Sequence, residues 1–306
     1  MLYMCIKLQS YCLFNNFFIN ILFMRICISA ESTVDLSKEL LLEYNIHTIP
    51  FTILLGDKAE LDGEITPDKI FSYVEENKVL PRTSAINEYQ FNEYFDKLLE
   101  EYDVVIHLSL SSDLSCAYRN ALNVSNLYKD DKKVYVIDSK SLSTGIGLLA
   151  IHASNMVKEG KNPEEIVASI EERIPEVQAS FVVNTLYYLY KGGRCSALAR
   201  LGALIFRLKP QILVANGKMV PGKKFMGKHT SCVKDYCEET LKVFNNPDLE
   251  YGFVTHSNAS PEAIEIAVNA MKNAGFKKVF VTIANSTISN HCGPKCLGIL
   301  YFNKSN

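Results

Sequence analysis

From residue 24 onward, short apolar runs alternate with segments that repeat apolar residues every three or four positions. The short runs predict strands and the repeating segments predict helices. The predicted strands are 24–29, 47–55, 104–110, 133–137, 179–183, 210–214, 251–255, 278–283 and 297–302. The predicted helices include 88–101, 115–128, 145–158, 164–174 and 262–274. This alternation is typical of βαβ units and predicts an α/β fold with mainly parallel sheets.

Three dipeptides mark helix starts, because a residue that caps free amides precedes a proline, whose fixed φ suits the first helical position. They are Thr66-Pro67, Asn162-Pro163 and Ser260-Pro261. The charged stretch 158–176, which also contains Gly160 and Pro175, is typical of a connection between domains. We therefore predict an N-terminal α/β domain over residues 24–160 and a C-terminal α/β domain over residues 161–306.

Residues 1–23 differ from the rest because they are mostly apolar, with Lys7 as their one charge. Asn15, Asn16 and Asn20 interrupt the apolar run before it reaches the roughly 18 residues that a membrane span needs. The segment also lacks the small-residue cleavage site of a secreted protein. We interpret it as an apolar extension outside the fold, with natural translation starting at Met24; a membrane anchor is the alternative.

The composition is that of a globular protein, since 48% of the 306 residues are apolar and 22% are charged. The 32 basic and 34 acidic side chains give a net charge of −2, so no overall field attracts nucleic acid or anionic lipid. The nine cysteines are odd in number and scattered, which favours a reducing compartment over a disulfide framework. We expect a cytoplasmic protein that contacts membranes at most transiently.

Two motifs resemble known sites but depart from them in spacing or residue type. Residues 217–224 have the spacing of a P-loop, but Lys224 replaces the hydroxyl residue that holds Mg²⁺, and Asn216-Gly217 predicts a hairpin. Cys292 and Cys296 are separated by three residues where disulfide exchangers have two. Buried thiols are the preferred interpretation of this pair, with metal or redox chemistry as the alternative. We expect neither a metal nor a cofactor.

Hydroxyl-rich turns adjoin several predicted strands and helices, where open α/β sheets bind their ligands. They are residues 81–85, 111–115 and 138–141. The turn at 111–115 opens a predicted helix, whose amides and dipole favour an anion. Each turn alone is also explained as a helix cap. Together they indicate a crevice rich in uncharged hydrogen-bond donors.

Six segments between residues 30 and 299 are similar to a set of known motifs and follow one another in the same order. The segments are 30–36 (D-S-x-x-D-L), 81–85 (T-S-Q-P-S), 111–118 (S-S-G-L-S-G-T-Y), 187–194 (L-x-x-L-x-x-G-G-R), 208–218 (K-P-I-L with D-G-K) and 290–299 (T-H-T-G-P-G-A-L-G). In the first, Glu31 replaces the usual first aspartate; the second departs from its motif after Ser84, and the third lacks both glycines. Through these segments the chain resembles the DegV-type fatty-acid-binding proteins.

The resemblance implies two α/β domains with a lipid tunnel between them and noncovalent binding of one long-chain fatty acid. In many bacteria such a protein presents the carboxylate to a separate ATP-dependent fatty acid kinase subunit, which resembles dihydroxyacetone kinases. The acyl phosphate that forms is used in phospholipid synthesis. The resemblance thus implies a non-catalytic, lipid-binding subunit, with the fatty acid and the kinase as partners and no nucleic acid.

Carried over position by position, the resemblance implies that Thr83 and Ser115 hydrogen-bond the fatty acid carboxylate. Arg194 and His291 would lie beside it as charge-balancing or orienting groups. Several donors are needed there, because an isolated buried carboxylate is very costly. The structural alternatives are a turn residue for Thr83, a helix cap for Ser115, a clamp on the glycine turn for Arg194 and a satisfied loop histidine for His291.

Two further groups have an apolar or basic pattern. The spacing of Leu198, Leu201, Leu204 and Ile205, continued by Leu208, is nearly helical, and these residues form either an acyl-chain wall or ordinary core. Lys223, Lys224 and Lys228 make the densest basic cluster, with His229 beside them. It lies near the segment that is thought to face the kinase in the family; a solvated surface is the alternative.

Two functions from other classes are the alternatives. A hydrolase would use Ser112 or Ser115 as the nucleophile and His291 as the base, but the sequence shows no nucleophile elbow and no obvious carboxylate to orient His291. A lipid-sensing regulatory protein is the other alternative.

Overall fold

The computed structural model of the protein describes residues 24–129, 131, 133–195 and 209–304. Its strands are β1 (Ile26–Glu31), β2 (Ile46–Ile49), β3 (Thr52–Leu55), β4 (Lys58–Leu61), β5 (Arg82–Ser84), β6 (Val104–Ser109), β7 (Val134–Asp138), β8 (Val177–Val182), β9 (Lys209–Ala215), β10 (Lys218–Phe225), β11 (Pro247–Ser257), β12 (Lys278–Ile283) and β13 (Cys296–Asn303). Its α-helices are α1 (Lys38–Glu43), α2 (Pro67–Asn77), α3 (Glu88–Leu99), α4 (Ala117–Ser125), α5 (Thr144–Lys158), α6 (Pro163–Arg173), α7 (Tyr187–Gly192), α8 (His229–Val243), α9 (Pro261–Asn273) and α10 (Ser286–Cys292). Short 3-10 helices cover Ser32–Val34, Asn126–Tyr128 and Ile174–Glu176.

The first sheet is parallel and has the strand order β2, β1, β6, β7. Strands β1 and β6 are buried along their whole length, as expected at the centre of a parallel sheet. The turns that follow β6 and β7 meet at the carboxyl edge, where the Ser111 amide donates to the Ser141 carbonyl at 3.0 Å. Two of the predicted hydroxyl-rich turns are therefore neighbours in the fold.

The second sheet has the order β10, β9, β8, β13, β11, β12, and among these strands only β11 and β12 pair in parallel. The prediction of mainly parallel sheets is wrong for this part of the chain. Asn216 and Gly217 have φ of 50° and 83°, and this left-handed pair closes a two-residue hairpin that returns β10 against β9. Hairpin chemistry therefore determines the direction of β10 relative to β9.

A small antiparallel sheet of β4, β3 and β5 is also absent from the predicted elements. The strand predicted over 47–55 is two strands, because Pro50 lies between β2 and β3 and has no amide hydrogen to donate. Strand β2 joins the parallel sheet, whereas β3 pairs with β5 and aligns Thr83 with the buried Ile53. This pairing fixes the backbone of one candidate site residue.

The three predicted helix starts are confirmed, because α2, α6 and α9 begin at the expected prolines. The side chains of Asn162 and Ser260 each accept an amide hydrogen bond, whereas Thr66 makes no such bond. The helix predicted over 115–128 begins at Ala117 and continues from Ser125 as a 3-10 turn.

Helix α5 packs between the two large sheets, against β1 and β6 on one side and β8 and β13 on the other. Residues 144–151 of this helix are all buried, since it is covered on every side. One hydrophobic cluster runs through both sheets and α5, and a second lies beneath α8 and α9.

The predicted boundary near residue 160 stays a prediction. Strands up to Asp138 form the parallel and the small sheets, and strands from Val177 form the second large sheet. The predicted extension 1–23 lies outside the described residues. Within the described ranges, no helix combines the length and apolar character that crossing a membrane requires.

Candidate ligand-binding site

A cavity of about 280 Å³ lies beside the carboxyl edge of the parallel sheet. Thr83 and Ser115 reach its wall from the first half of the chain, and Arg194 and His291 from the second. Most of the remaining wall is apolar and consists of Phe51, Ala85, Leu110, Leu114, Leu142, Leu189, Met219 and Ile288, with Cys116 and Cys292. The structure thus brings the four predicted site residues to one cavity, while their roles toward a ligand stay predictions.

Thr83 and His291 form the central polar contact of this cavity, with 3.1 Å between Oγ1 and Nε2. Burial, assisted by the nearby Arg194 guanidinium, lowers the pKa of His291 to about 3, so the ring is neutral at physiological pH. Its Nδ1 has no hydrogen-bond partner among the described residues. When Nε2 carries the proton, it donates to Thr83, and the Thr83 hydroxyl is free to donate into the cavity.

Helix α10, which carries His291, is held against the first half of the chain by buried carboxylates. Asp35 accepts the Asn285 amide at 2.8 Å, and Asp62 accepts the Thr287 amide at 3.0 Å. At the other end of the helix, Asn290 Nδ2 donates to the Pro81 carbonyl at 3.0 Å. These bonds fix the separation between the strand of Thr83 and the helix of His291.

Burial raises the pKa of both anchoring carboxyls, and for Asp35 the neighbouring Asp62 charge adds to the rise. A folded-state pKa above the unfolded value means that the folded protein binds the proton more tightly. The contribution of such a group to stability is therefore greatest at acidic pH and falls as pH rises through its folded-state pKa.

We expect Asp35→Asn to lower the melting temperature more at about pH 5 than at about pH 7.5, because only the charged aspartate carries the desolvation cost. Thermal unfolding of wild type and variant at both pH values measures this difference. Buried histidines with lowered pKa, such as His256, have the opposite pH dependence, but they are present in both proteins. An equal loss at the two pH values contradicts the expectation.

The Gly-Gly-Arg element shapes the other side of the histidine. A Cβ on Gly192 would lie 2.5 Å from His291 Nδ1, so the ring occupies space that only glycine leaves. Gly193 ends α7 with a φ of 69°, and Arg194 Nη1 donates back to the Gly192 carbonyl at 2.6 Å. The clamp considered for Arg194 is thus present, and the same side chain also lines the cavity.

Ser115 likewise makes its local contact, because its Oγ accepts the Ala117 amide at 3.2 Å near the start of α4. A hydroxyl that accepts this bond keeps its own hydrogen for a ligand. Glu31 supports the start of the turn: its carboxylate accepts the Ser109 hydroxyl at 2.5 Å and the Leu110 amide at 2.8 Å. The family's aspartate position therefore holds the backbone that leads to Ser115.

The β9–β10 hairpin completes the wall. Ser111 Oγ donates to the Gly217 carbonyl at 2.8 Å, and a Cβ on Gly217 would lie 2.6 Å from Ser111 Oγ. This close approach brings Met219 into the cavity wall. The segment with P-loop spacing is thus the start of a hairpin strand, as Asn216-Gly217 predicts.

The family model described as "Uncharacterised protein, DegV family" matches residues 25–304. The chain belongs to the DegV family. A DegV domain-containing protein of Clostridium perfringens is 33% identical over 281 residues, covering 90% of this chain and 98% of that protein. The structure described as fatty acid binding of a DegV family protein from Thermus thermophilus has a TM-score of 0.83 and 27% identity, covering 92% of this chain and 100% of that one. The structure of DegV from Bacillus subtilis, described as a fatty acid binding protein, has a TM-score of 0.80 and 27% identity over the same shares.

The family membership and α/β fold predicted from the sequence are confirmed by these matches. Two predictions for this DegV protein, the acyl-chain wall and the basic kinase-facing cluster, stay predictions. Leu198, Leu201, Leu204, Ile205 and Leu208 lie outside the described residues. In the basic cluster, Lys223 pairs with Glu239 at 2.5 Å, whereas Lys224 and Lys228 are exposed.

The cysteine pair of this DegV chain is buried in the cavity region. Cys292 and Cys296 are each 6% exposed; burial raises the pKa of Cys296, and a hydrogen bond that its thiol donates to the Cys292 sulfur adds to the rise. Among the described residues, no group of three or more histidine, cysteine or acidic side chains could hold a metal ion.

Proposed function

We propose that this protein binds one long-chain fatty acid in the cavity and presents its carboxylate to a separate ATP-dependent kinase. The observation that carries the proposal is the cluster of Thr83, Ser115 and His291 on the wall of a mainly apolar cavity. An apolar wall with a few convergent polar groups is typical of a small-molecule site. The descriptions of the Thermus thermophilus and Bacillus subtilis relatives support a fatty acid as the ligand class.

The acyl chain has an apolar path leading away from the polar cluster. A second space of about 20 Å³ shares Leu142, Ile288 and Cys292 with the cavity and borders the second sheet. Each buried methylene contributes about 0.8 kcal/mol to binding. Since ligand pockets usually hold about 300 Å³ or more, we propose that a long chain enters the second space and displaces the side chains of Ile288 and Cys292.

The carboxylate is stabilised by donors that the protein does not otherwise use. Thr83 donates because His291 supplies the hydrogen bond that its oxygen accepts, and Ser115 donates because its oxygen already accepts the Ala117 amide. Hydrogen bonds to a charged acceptor are roughly twice as strong as neutral ones. Arg194 supplies a positive charge at the same wall.

The geometry favours binding over the hydrolase alternative. His291 Nε2 contacts Thr83 rather than a serine, and the pKa of about 3 makes the ring a weak base near neutral pH. Nδ1 has no orienting carboxylate among the described residues. The other serine considered, Ser112, accepts a hydrogen bond from Lys140 at 3.1 Å. A lipid-sensing regulator would use the same binding step.

For the kinase, we propose the surface around Lys224 and Lys228, which are exposed before α8. Met226 lies between them and is 81% exposed, so the surface combines positive charge with an apolar contact. The Lys223–Glu239 pair reduces its net charge. We place this encounter in the reducing cytoplasm, where the seven cysteines of the described ranges are free thiols.

The test is native mass spectrometry of the full chain purified from cells, followed by incubation with oleate and ATP. We expect one copurified or added fatty acid per chain, and oleoyl phosphate only after a fatty acid kinase subunit is supplied. A chain that binds no fatty acid contradicts the proposal. Acyl phosphate formed by the isolated chain, or ester hydrolysis abolished by Ser115→Ala, assigns a catalytic function instead.

A further inference from the structure

Two thiols meet at the boundary between the cavity and the second space. Cys292 is the last residue of α10 and lines both spaces, whereas Cys296 is the first residue of β13 and lines the second. The Cys296 thiol donates a hydrogen bond to the Cys292 sulfur, and neither residue is in a disulfide. The passage that we propose for the acyl chain therefore contains a pair of thiols in contact.

The turn between α10 and β13 brings the two side chains together. Gly293 and Lys295 have φ of 78° and 59°, so two of the three intervening residues adopt left-handed backbone and the chain turns sharply. A disulfide places its sulfurs about 2.05 Å apart. Because the two sulfurs are already in contact, a modest approach of the side chains completes the bond.

The two cysteines differ in how firmly they are held. Strand β13 is paired on both sides, with Cys296 aligned to Ser257 of β11 and Leu297 aligned to Val182 of β8. Cys292, in contrast, is one of the two residues whose side chains a long acyl chain displaces in the proposed function. A bond to the strand would fix the Cys292 side chain in the passage.

Small oxidants can reach this pair through the cavity. The exposed Cys116 belongs to the cavity wall, so the cavity is accessible from solvent, and Cys292 lines the same cavity. Burial raises the pKa of Cys296, and a thiol that keeps its proton is a poor nucleophile. We therefore expect Cys292 to react first and the pair to oxidise slowly.

We propose that oxidation of Cys292 and Cys296 to a disulfide closes the passage to long acyl chains, an inference that rests on the proposed function. With hydrogen peroxide as the oxidant, the Cys292 sulfur attacks one peroxide oxygen, the O–O bond breaks, and the other oxygen leaves as water with the thiol proton. The Cys296 sulfur then attacks the Cys292 sulfenic acid. The S–S bond forms, the S–O bond breaks, and a second water leaves with the Cys296 proton.

The first part of the experiment detects the bond. The full chain, freed of bound lipid, is treated with hydrogen peroxide and compared with the form reduced by dithiothreitol. Trypsin cleaves after Lys278, Lys295 and Lys304, so the disulfide joins peptides 279–295 and 296–304. We expect mass spectra of the oxidised protein to contain the joined pair, and dithiothreitol to separate it.

The second part measures binding of palmitate and of decanoate, a shorter acid of the same series, to both forms. We expect oxidation to weaken palmitate binding tenfold or more, since each methylene kept out of the second space costs about fourfold in affinity. Decanoate binding should change less than about threefold, because a short chain stays in the cavity. Dithiothreitol should restore the palmitate affinity.

Two variants serve as controls, each compared with its own reduced form. Cys296→Ala cannot form the bond, so peroxide should leave its palmitate affinity unchanged. Cys116→Ser removes the exposed thiol of the cavity and should respond to peroxide like wild type.

Three results overturn the inference: no joined peptides in oxidised wild type, joined peptides with an unchanged ratio of the palmitate and decanoate affinities, or a full peroxide response in Cys296→Ala. If the reduced wild type binds neither acid, the proposed function itself fails, and the closing of the passage fails with it. The joined peptides report the disulfide independently of binding, so these failures are distinguishable.

Discussion

Replacement of Thr83 by valine is expected to weaken oleate binding ten- to a hundredfold, that is by about 1.5–3 kcal/mol. The hydroxyl contacts His291 Nε2 at the cavity wall, so its loss removes the donor that we propose for the carboxylate. Oleyl alcohol has no charge at that position and should lose much less. Titration of wild type and variant with both ligands measures the two losses.

The control for this substitution is Thr66→Val, which changes an exposed threonine whose side chain makes no capping bond. It should bind both ligands like wild type. Equal losses for oleate and oleyl alcohol in Thr83→Val would mean that Thr83 shapes the cavity without recognising the carboxylate. Unchanged affinity for both ligands removes Thr83 from the site.

Glu31→Ala is expected to lower the free energy of unfolding by about 3–5 kcal/mol. The side chain is 0% exposed and accepts hydrogen bonds from the Ser109 hydroxyl and the Leu110 amide, with His107 Nε2 3.4 Å away. Alanine leaves the Ser109 hydroxyl and the Leu110 amide without this acceptor. Urea unfolding followed by circular dichroism measures the loss.

Glu100→Gln is the comparison for Glu31→Ala, because Glu100 is exposed at the end of α3. A surface substitution of this kind stays within about 0.5 kcal/mol of wild type. A loss below about 1 kcal/mol for Glu31→Ala would show that water or a rearranged turn replaces the carboxylate, since each buried unsatisfied donor costs about 1–3 kcal/mol.

Local chemistry predicts much of the fold. The strands at 104–110 and 278–283 and the proline-marked starts of α6 and α9 follow from periodicity and capping, which act over a few residues. The strand directions in the second sheet do not follow from such local signals, because β13 inserts between β8 and β11 through pairings that are distant in sequence. Helix α10 is also missed, since its seven residues are too few to show a helical period.

In the candidate site, too, the sequence predicts the residues that lie in recognisable motifs but not the contacts between distant segments. Thr83, Ser115, Arg194 and His291 were accessible to sequence reasoning because each lies in a segment that resembles the family. The close fit of Gly192 against His291, the support of the Leu110 amide by Glu31 and the bond from Asn290 to Pro81 depend on which segments meet in space. Of these three contacts, only that of Glu31 left a trace in the sequence, because glutamate replaces the family's aspartate there. The sequence did not indicate that the Leu110 amide is the group that Glu31 binds.

The apolar residues of the cavity wall were only partly predictable from the sequence. Leu110 and Leu142 follow strands of the parallel sheet, so their place near its carboxyl edge was predictable from the element order. Met219 reaches the cavity because its hairpin docks on Ser111 through Gly217, a contact between residues 106 positions apart. No periodicity in the sequence encodes that contact.

A crystal structure of the protein with oleate shows whether the cavity holds a fatty acid with its carboxylate at Thr83 and Ser115, as we propose. We expect carboxylate oxygens within about 3.2 Å of both hydroxyl oxygens, and the chain directed past Ile288 and Cys292 into the space beside the second sheet. A carboxylate that points to solvent away from His291 would mean that Thr83 and Ser115 do not bind it, and a chain bound elsewhere while the cavity stays closed would mean that the cavity is not the fatty acid site.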